Sequence, residues 1–234
     1  MHYRIGTRGS KLALVQSEYV KRRMEEAYPE DTFELVIIKT TGDKVTDKPL
    51  AAIGTKGLFV KEIEEELLSG SIDMAVHSMK DMPAECETGL TFAKAWKRED
   101  CRDVLILKTA GSFSELPSGA VIGTGSLRRA CQLAMLRPDI QFTAIRGNVD
   151  TRINKLMDDS YGLDGIVLAA AGLNRLGRSS EITEYLDPEV VINSSLVYKY
   201  ILKIYLYRIQ LFRKIGNGIA IKFCLNFNTT KLSF

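Results

Sequence analysis

Arginines stand at several places where a strand-like segment gives way to a helix-like one. Arg128 and Arg129 fall in the first turn of a predicted helix, Arg146 follows the next predicted strand, Arg152 lies within the helix after it, and Arg8 lies in an early glycine turn. A cation in a first helical turn opposes the helix dipole unless an anion joins it, and the guanidinium fork suits carboxylates. The pattern indicates a site for a carboxylate-bearing ligand, although a solvated surface position is the ordinary alternative for any one arginine.

Adjacent opposite charges end the apolar segment 72–76. Lys80 and Asp81 follow it closely, and Pro83 stops the strand. A carboxylate beside a reacting group can stabilise a developing cation or transfer protons. The ordinary alternative is a solvated strand end whose two charges pair with each other.

Composition narrows the chemistry. The chain of 234 residues has two histidines, His2 and His77, and four cysteines without CxxC spacing, so we expect no metal centre, no Ser–His triad and no disulfide framework. The opening residues run straight into strand-like sequence rather than a signal peptide. We therefore expect a reduced, cytoplasmic protein with no association with membranes.

Charge is unevenly distributed along the chain. The 32 Lys/Arg and 29 Asp/Glu give a net charge of +3, but residues 193–234 hold seven of the basic residues and none of the acidic ones. Residues 1–192 are therefore net acidic, without the electrostatic footprint of a protein that binds nucleic acid.

Strand-like and helix-like segments alternate, which predicts α/β domains whose mainly parallel, mixed sheets are flanked by helices. The predicted strands cover residues 3–5, 33–38, 74–77, 104–107, 121–122, 140–145 and 165–169. In the first helix, Leu12, Val15, Tyr19 and Val20 supply the predicted apolar face. Residues 41–57 show no sustained period, as in a lid or a disordered segment.

A short internal repeat indicates two similar domains. IGTRGS (5–10) and IGTGS (122–126) each lie between a predicted strand and a predicted helix. Ligands of open α/β sheets bind at the carboxyl ends of strands, and helix N-termini favour anions. We predict domains over residues 1–97 and 98–190, followed by a tail, 191–234.

The segments together resemble hydroxymethylbilane synthase, also called porphobilinogen deaminase, in family order over the part of the chain before Asn193. The matching segments are RIGTRGSKLALVQ (4–16), GTKGLFVKEIE (54–64), AVHSMKDMP (75–83), GTGSLRRACQL (123–133), IRGNVDTR (145–152) and AAAGLNRLG (169–177). Gly125 stands where many members carry serine.

The resemblance implies an enzyme that condenses four porphobilinogen units head to tail, with loss of ammonia, on a covalently held dipyrromethane primer. Each pyrrole carries an acetate and a propionate, so the growing product is a polyanion. The matching positions imply that carboxylates are held or hydrogen-bonded by Arg8, Ser10, Lys80, Thr124, Ser126, Arg128, Arg129, Arg146 and Arg152.

The resemblance assigns the chemistry to Asp81. Loss of ammonia leaves an electron-poor azafulvene, and a carboxylate beside its pyrrole nitrogen would stabilise that charge and transfer protons. Residues 41–57 match the family's mobile lid, with Lys56 and Phe59 facing the ligand. The implied fold is a pair of periplasmic-binding-protein-like domains in a monomer.

After Ile192 the resemblance stops. Family members continue with a PAPGQG-type motif, a strand that returns to the first domain, and a third α+β domain whose cysteine bonds the dipyrromethane. We expect residues 191–234 to be an aberrant tail without that domain, the first sheet to keep an unpaired edge, and the chain alone to be inactive. The attachment cysteine has no match among Cys86, Cys101, Cys131 and Cys224.

Alternatives stay open at this point. Lys199, Lys203, Arg213 and Lys214 would share one face if the tail were helical, and a basic amphipathic helix could lie on an anionic membrane. The whole chain could also be a two-domain module that binds an anion or solute without catalysis, or a fragment that folds only in part.

Overall fold

The computed structural model describes residues 1–44, 60–78, 82, 87–93, 96, 99–191 and 202–207, with backbone only for 43–44 and 202–207. The chain divides between Arg98 and Glu99 into two compact units. Unit 1 holds the described residues before 99 together with 202–207, and unit 2 holds residues 99–191.

Unit 1 is built on one mixed sheet. Its elements are β1 (His2–Arg8), α1 (Lys11–Ala27), β2 (Thr32–Ile38), α2 (Thr41–Lys44), α3 (Lys61–Ser69), β3 (Met74–Ser78), β4 (Leu90–Phe92) and β10 (Leu202–Tyr207). The strand order is β2-β1-β3-β10-β4. β1 is parallel to β2 and β3, whereas β10 is antiparallel to β3 and β4.

Helices cover both faces of this sheet. Val20 and Met24 of α1 pack with Ile5 and its neighbours on one face, and Ile63 and Leu67 of α3 pack on the other. α3 ends at Gly70, whose φ of 75° is the left-handed conformation that glycine adopts without strain. The sheet is therefore buried on both faces, as the α/β prediction requires.

The predicted apolar face of α1 is wrong in part. Val15 is exposed, and Gln16 and Ser17 are buried in its place. Both polar side chains find hydrogen-bond partners inside unit 1: Ser17 donates to Thr7, and Gln16 donates to Ser78. Because buried polar groups are tolerated when they are paired, the buried face of α1 is rotated from the one that hydropathy selects.

The predicted unpaired edge of the first sheet is also wrong. Leu202–Tyr207 lies between β3 and β4, and Tyr205 is in register with Ala75 on one side and Phe92 on the other. Its sequence, LKIYLY, is rich in the apolar and aromatic residues that favour strands, and an unpaired β3 would leave backbone groups without partners. These residues are strand, not the membrane-surface helix considered as an alternative; apart from Val191, the rest of the tail lies outside the described residues.

The segment 41–57 begins in regular structure. Its first turn is helical, and both the backbone N–H and the hydroxyl of Thr41 donate to the Glu62 carboxylate. Residues 45–57 lie outside the described residues, so the lid stays a prediction.

Unit 2 repeats the architecture. Its elements are β5 (Asp103–Leu107), β6 (Val121–Gly123), α4 (Leu127–Leu136), β7 (Gln141–Thr143), α5 (Val149–Met157), β8 (Gly165–Ala169), α6 (Ala170–Arg175) and β9 (Glu184–Tyr185), with 3-10 turns at Phe113–Glu115, Asp159–Tyr161 and Ser179–Glu181. The strand order is β7-β6-β8-β5-β9. β6 is parallel to β7 and β8, and β5 is antiparallel to β8 and β9.

The strand β5 shows why this sheet needs helices on both faces. Alternate side chains of a strand point to opposite faces, and here both sets are apolar and buried. Leu105 packs in the cluster that contains Leu133 of α4, whereas Val104 and Ile106 pack in the cluster that contains Leu156 of α5.

No helix in the described part of the chain is long and apolar enough to cross a membrane.

Candidate active site

In unit 1 the repeat IGTRGS (5–10) joins the end of β1 to the start of α1. Gly6 lies in β1 against Ile72, whose Cδ1 would be 2.3 Å from an added Cβ. Thr7 is buried, and its hydroxyl accepts from Ser17 Oγ at 2.7 Å. Ser10 caps α1, because its Oγ accepts from the Ala13 N–H at 3.4 Å. The Ser10 hydroxyl therefore already has a structural task at the turn that carries Arg8, which is half-buried.

The end of β3 is held from α1. Gln16 is buried, and its Nε2 donates to Ser78 Oγ at 3.0 Å. Ser78 is the last residue of β3, two positions before Lys80, so this bond helps to place the chain that leads into the Lys80-Asp81 pair. Sequence reasoning missed Gln16, although a signal was present: it lies four residues from both Leu12 and Val20 at helical spacing.

Four predicted site residues cannot be placed. Lys56, Phe59, Lys80 and Asp81 lie outside the described residues. Their roles remain predictions.

In unit 2 the arginines of α4 converge on one carboxylate. Asp103, the first residue of β5, has a fully buried side chain. Its Oδ2 accepts from Arg128 Nη2 at 2.5 Å, and its Oδ1 accepts from Arg129 Nη2 at 2.7 Å. Arg128 also donates to Gln132 Oε1 at 3.0 Å. Sequence reasoning missed Asp103, because it stands just before the predicted strand 104–107 and nothing in its sequence neighbours marks a charged partner.

A third arginine lies in the same neighbourhood. Burial lowers the pKa of the Arg152 guanidinium below its usual value, and the nearby charges of Arg129 and Arg146 lower it further. Its Nε donates to the Gly147 carbonyl at 2.9 Å. Like charges disfavour one another, so an anion beside Arg152 would offset the repulsion from Arg129 and Arg146.

Gly125 lies in the loop beside this cluster, where a larger residue would be crowded. A Cβ added at Gly125 would lie 3.0 Å from the Ile145 carbonyl oxygen and 3.6 Å from Arg152 Nη2. The backbone of residues 124–126 can therefore approach the Arg152 guanidinium closely. A serine at position 125 would occupy part of this space.

The two predicted hydroxyls of this loop have different tasks. The Oγ1 of Thr124 accepts from the Ser126 N–H at 3.2 Å, which closes the turn before α4. Ser126 occupies the N-cap position of α4 without a side-chain capping bond. Its hydroxyl, unlike that of Ser10, is not committed to the helix it precedes.

The unit 2 residues therefore form a cation-rich donor set. Arg128 and Arg129 share the buried Asp103 carboxylate, and in the described part of the chain the Arg129 Nε is buried without a hydrogen-bond partner. Guanidinium groups bind carboxylates through paired, charge-assisted hydrogen bonds. Such a set suits a ligand with several carboxylates. Among the described residues, no cluster of His, Cys, Asp and Glu could hold a metal ion.

Comparison with known proteins identifies the family. The model of the porphobilinogen deaminase dipyrromethane-cofactor-binding domain matches residues 3–196. The chain belongs to this family. Because the match includes both units' strand-to-helix turns, the arginine cluster lies inside the family's cofactor-binding domain, and the resemblance noted in the sequence is confirmed.

Relatives support the same assignment. The chain is 98% identical over 192 residues to the porphobilinogen deaminase of Lachnospira eligens, 53% identical over 193 residues to that of Clostridioides difficile and 52% identical over 189 residues to that of Syntrophus aciditrophicus. The alignments cover 82%, 82% and 81% of this chain. It spans only 65%, 64% and 61% of the lengths of these relatives.

Solved structures confirm the predicted fold class. The chain is similar to the methionine-binding protein MetQ, with a TM-score of 0.53 at 13% identity over 98% of this chain and 91% of the other. It is also similar to the periplasmic VFT2 domain of BvgS from Bordetella pertussis, with a TM-score of 0.50 at 11% identity over 98% and 88%. At such identities the likeness shows the periplasmic-binding-protein-like α/β fold alone.

The donor set fits the family's cofactor. Dipyrromethane carries acetate and propionate side chains, and the unit 2 arginines and the Ser126 hydroxyl are donors suited to carboxylates. Among the described residues the buried Arg129 Nε has no hydrogen-bond partner, and the charges of Arg129 and Arg146 act unfavourably on Arg152; a ligand carboxylate suits both features.

Proposed function

We propose that this chain carries the cofactor- and substrate-binding portion of a hydroxymethylbilane synthase, which joins porphobilinogen units head to tail with release of ammonia. The observation that supports the proposal best is the group of unit 2 arginines: Arg128 and Arg129 share the buried Asp103 carboxylate, and the charges of Arg129 and Arg146 act on the nearby Arg152. A charge-assisted hydrogen bond contributes about 1.5–3 kcal/mol net, so several of them hold a polycarboxylate firmly.

The unit 2 residues would bind the carboxylates of the cofactor and the substrate. Arg128, Arg129, Arg146 and Arg152 bind acetate and propionate groups of the dipyrromethane and of the growing chain, and Ser126 adds a hydroxyl. The dipyrromethane supplies, when bound, the tethered acceptor for the first condensation. Thr124 acts indirectly, since its hydroxyl shapes the turn that presents Ser126.

The unit 1 residues would supply the chemistry. Asp81 stabilises the positive charge that develops on the pyrrole as ammonia leaves porphobilinogen, and it transfers protons to and from the reacting groups. Lys80 and Arg8 bind carboxylates, while Lys56 and Phe59 face the ligand from the lid, 41–57. The bond between Gln16 and Ser78 supports this assignment, because it fixes the strand end from which the Lys80-Asp81 pair follows.

Two measurements test the proposal. Isothermal titration of the 234-residue chain with porphobilinogen should show binding that weakens as salt rises, because exposed charges are screened, and that is lost in a variant with Arg146→Gln and Arg152→Gln. Second, residues 1–192 continued by the rest of the Lachnospira eligens protein should form hydroxymethylbilane and release ammonia. Absence of turnover in that chain, together with normal folding, would contradict the proposal.

Several features of the whole protein also remain proposals. We expect the 234-residue chain alone to yield no hydroxymethylbilane, since none of its cysteines lies in a segment that resembles the family's attachment site. We also propose a cytoplasmic monomer, with domain bounds at 1–97 and 98–190. Sedimentation velocity would test the monomer, and limited proteolysis would test the domain bounds.

A further inference from the structure

We propose that Asp103 is a positioning residue of the anion site: it holds the Arg128 and Arg129 guanidinium groups in the orientation that receives ligand carboxylates. This inference rests on the proposed function. Each oxygen of the one carboxylate accepts from a different arginine, at 2.5 Å and 2.7 Å. A single rigid group thus sets two donors at once.

The backbone of Asp103 is fixed on both sides. It pairs with Ala169 of β8, and its carbonyl accepts from the Leu186 N–H at 2.9 Å. β5 runs antiparallel to β8, so the first residue of β5 lies at the edge where β6 and β8 end and where α4 and α6 begin. Asp103 therefore reaches the arginines from the sheet rather than from a loop.

The exposed fractions of the three side chains show which of them can reach a ligand. The Asp103 side chain is 0% exposed, whereas those of Arg128 and Arg129 are 17% and 10% exposed. Asp103 cannot meet a ligand itself, but the arginines that it binds retain an accessible portion. Arg129 is further held by the Val167 carbonyl, which accepts from its Nη1 at 3.4 Å.

Asp103 has a second effect, on charge. Arg129 and Arg146 already act unfavourably on Arg152. One carboxylate offsets part of this repulsion without cancelling the positive charge that attracts an anion. Full neutralisation would remove the attraction, whereas no carboxylate would leave the buried Arg129 guanidinium unpaired, which is strongly unfavourable.

The direction in which one substitution changes anion affinity distinguishes a positioning role from an effect of net charge. Asp103→Asn makes the site more positive, so a role limited to net charge predicts tighter anion binding. Positioning predicts weaker binding, because Arg128 and Arg129 lose their common anchor. We expect the affinity for benzene-1,2,4,5-tetracarboxylate, measured by titration calorimetry at fixed ionic strength, to fall by about tenfold or more, the loss that one misplaced charge-assisted hydrogen bond brings.

Asp139→Asn is the matched control. It makes the same change of charge in the same unit, but Asp139 pairs with Arg137 at 2.7 Å instead of with an arginine of the site. Its affinity for the probe should equal that of the unsubstituted chain. Equal or tighter binding by Asp103→Asn than by Asp139→Asn would overturn the proposal.

A readout without ligand keeps the inference separate from the proposed function. In the ligand-free chain, NMR of arginine side chains should show slow rotation about the Cζ–Nε bonds of Arg128 and Arg129, compared with the exposed Arg22. Asp103→Asn should accelerate that rotation, and Asp139→Asn should not. If the chain bound neither probe nor porphobilinogen, the proposed function would fail, and the rotation rates would still decide whether Asp103 positions the arginines.

The folding of the variant does not limit the test. Should Asp103→Asn prove unfolded by circular dichroism, Asp103→Glu retains the charge and shifts the carboxylate by one methylene, and it should still weaken probe binding. Unrestrained rotation of Arg128 and Arg129 in the unsubstituted chain, or undiminished affinity in Asp103→Glu, would each overturn the proposal.

Discussion

The two units share one strand plan but take its fourth strand from different parts of the chain. Each sheet has three parallel strands, then an antiparallel strand, then an edge strand. In unit 2 the antiparallel strand is β5, the first strand of the unit itself. In unit 1 it is β10, which follows the whole of unit 2 along the chain and lies beyond the family match at residue 196.

The origin of the fourth strand affects how independently each unit can fold. All described strands of unit 2 lie within one continuous stretch, 103–185, whereas the unit 1 sheet is complete only when Leu202–Tyr207 returns to β3. Bringing distant segments together costs more loop-closure entropy than pairing near ones. We therefore expect unit 2 to be the more stable unit.

The units also differ in what their equivalent turns carry. Gly6 and Thr7 correspond to Gly123 and Thr124, and in each pair the threonine is buried. In unit 1 the next serine caps its helix, whereas in unit 2 Ser126 does not, and the arginines after it are anchored by Asp103. Under the proposed function, binding belongs mainly to unit 2 and catalysis to unit 1.

The largest expected effect separates those two roles. In residues 1–192 continued by the rest of the Lachnospira eligens protein, Asp81→Asn should lower kcat by about 10²–10⁴-fold, as for a lost acid–base group, with little change in KM. Arg152→Gln should instead raise KM. Steady-state kinetics with porphobilinogen would show the split, and a variant of Asp81 that keeps most of its turnover would remove that residue from the mechanism.

The next effect concerns the origin of the fourth strand. Tyr205→Pro should remove a ladder N–H from β10 and destabilise unit 1 toward the upper end of the about 0.5–3 kcal/mol range of single substitutions. Hydrogen exchange followed by mass spectrometry should show faster exchange in β1–β3 and unchanged exchange in β5–β8. The counterpart, Leu105→Pro, should give the opposite result; unaltered protection of β3 in the first variant would mean that β10 does not complete the sheet.

The unsubstituted chain should show the difference between units directly. Amides of β1 and β3 should exchange faster than those of β5 and β8, because the unit 1 sheet needs the distant β10. The same hydrogen-exchange measurement checks this, and better protection of unit 1 would refute the argument from loop closure.

A smaller effect should appear at the equivalent glycines. A Cβ at Gly123 would lie 2.9 Å from Ile145 Cδ1, and one at Gly6 would lie 2.3 Å from Ile72 Cδ1. Gly123→Ala and Gly6→Ala should each cost at least about 1 kcal/mol, within the range for overpacked cores. Gly9→Ala is the control in urea unfolding, since its Cβ would meet only Ile37 at 3.4 Å; no loss in either buried variant would contradict the close packing.

The smallest effect lies in acid. The Arg137 guanidinium lowers the pKa of Asp139 from its usual 3.8 to about 2. A carboxyl with a lowered folded pKa stabilises the fold above its unfolded pKa, and that contribution disappears as pH falls from about 3.8 to about 2. Thermal unfolding between pH 5 and 2 should therefore be less pH-dependent in Asp139→Asn, and an unchanged slope would show that the exposed pair contributes nothing.

Local pattern was sufficient for much of the fold and part of the site. The strand Gly165–Ala169 has the bounds that hydropathy predicts, because the apolar pattern is set by neighbours in sequence. Arg128, Arg129, Arg146 and Arg152 were recognisable from their position at strand-to-helix turns, since an unfavourable place in the helix dipole is itself a local signal. The Lys80-Asp81 pair was equally visible, although its geometry lies outside the described residues.

The long-range partners of Asp103 and of Leu202–Tyr207 depend on the tertiary fold. In the sequence Asp103 is only the residue before a predicted strand, and it meets Arg128 and Arg129 because β5 runs antiparallel beside β8. Leu202–Tyr207 resembles a continuation of a foreign tail, and it becomes a central strand because β3 and β4 present unpaired edges to it. A residue's own neighbours determine its secondary structure, but the choice among distant partners depends on which backbone edges and buried charges the fold leaves to be satisfied.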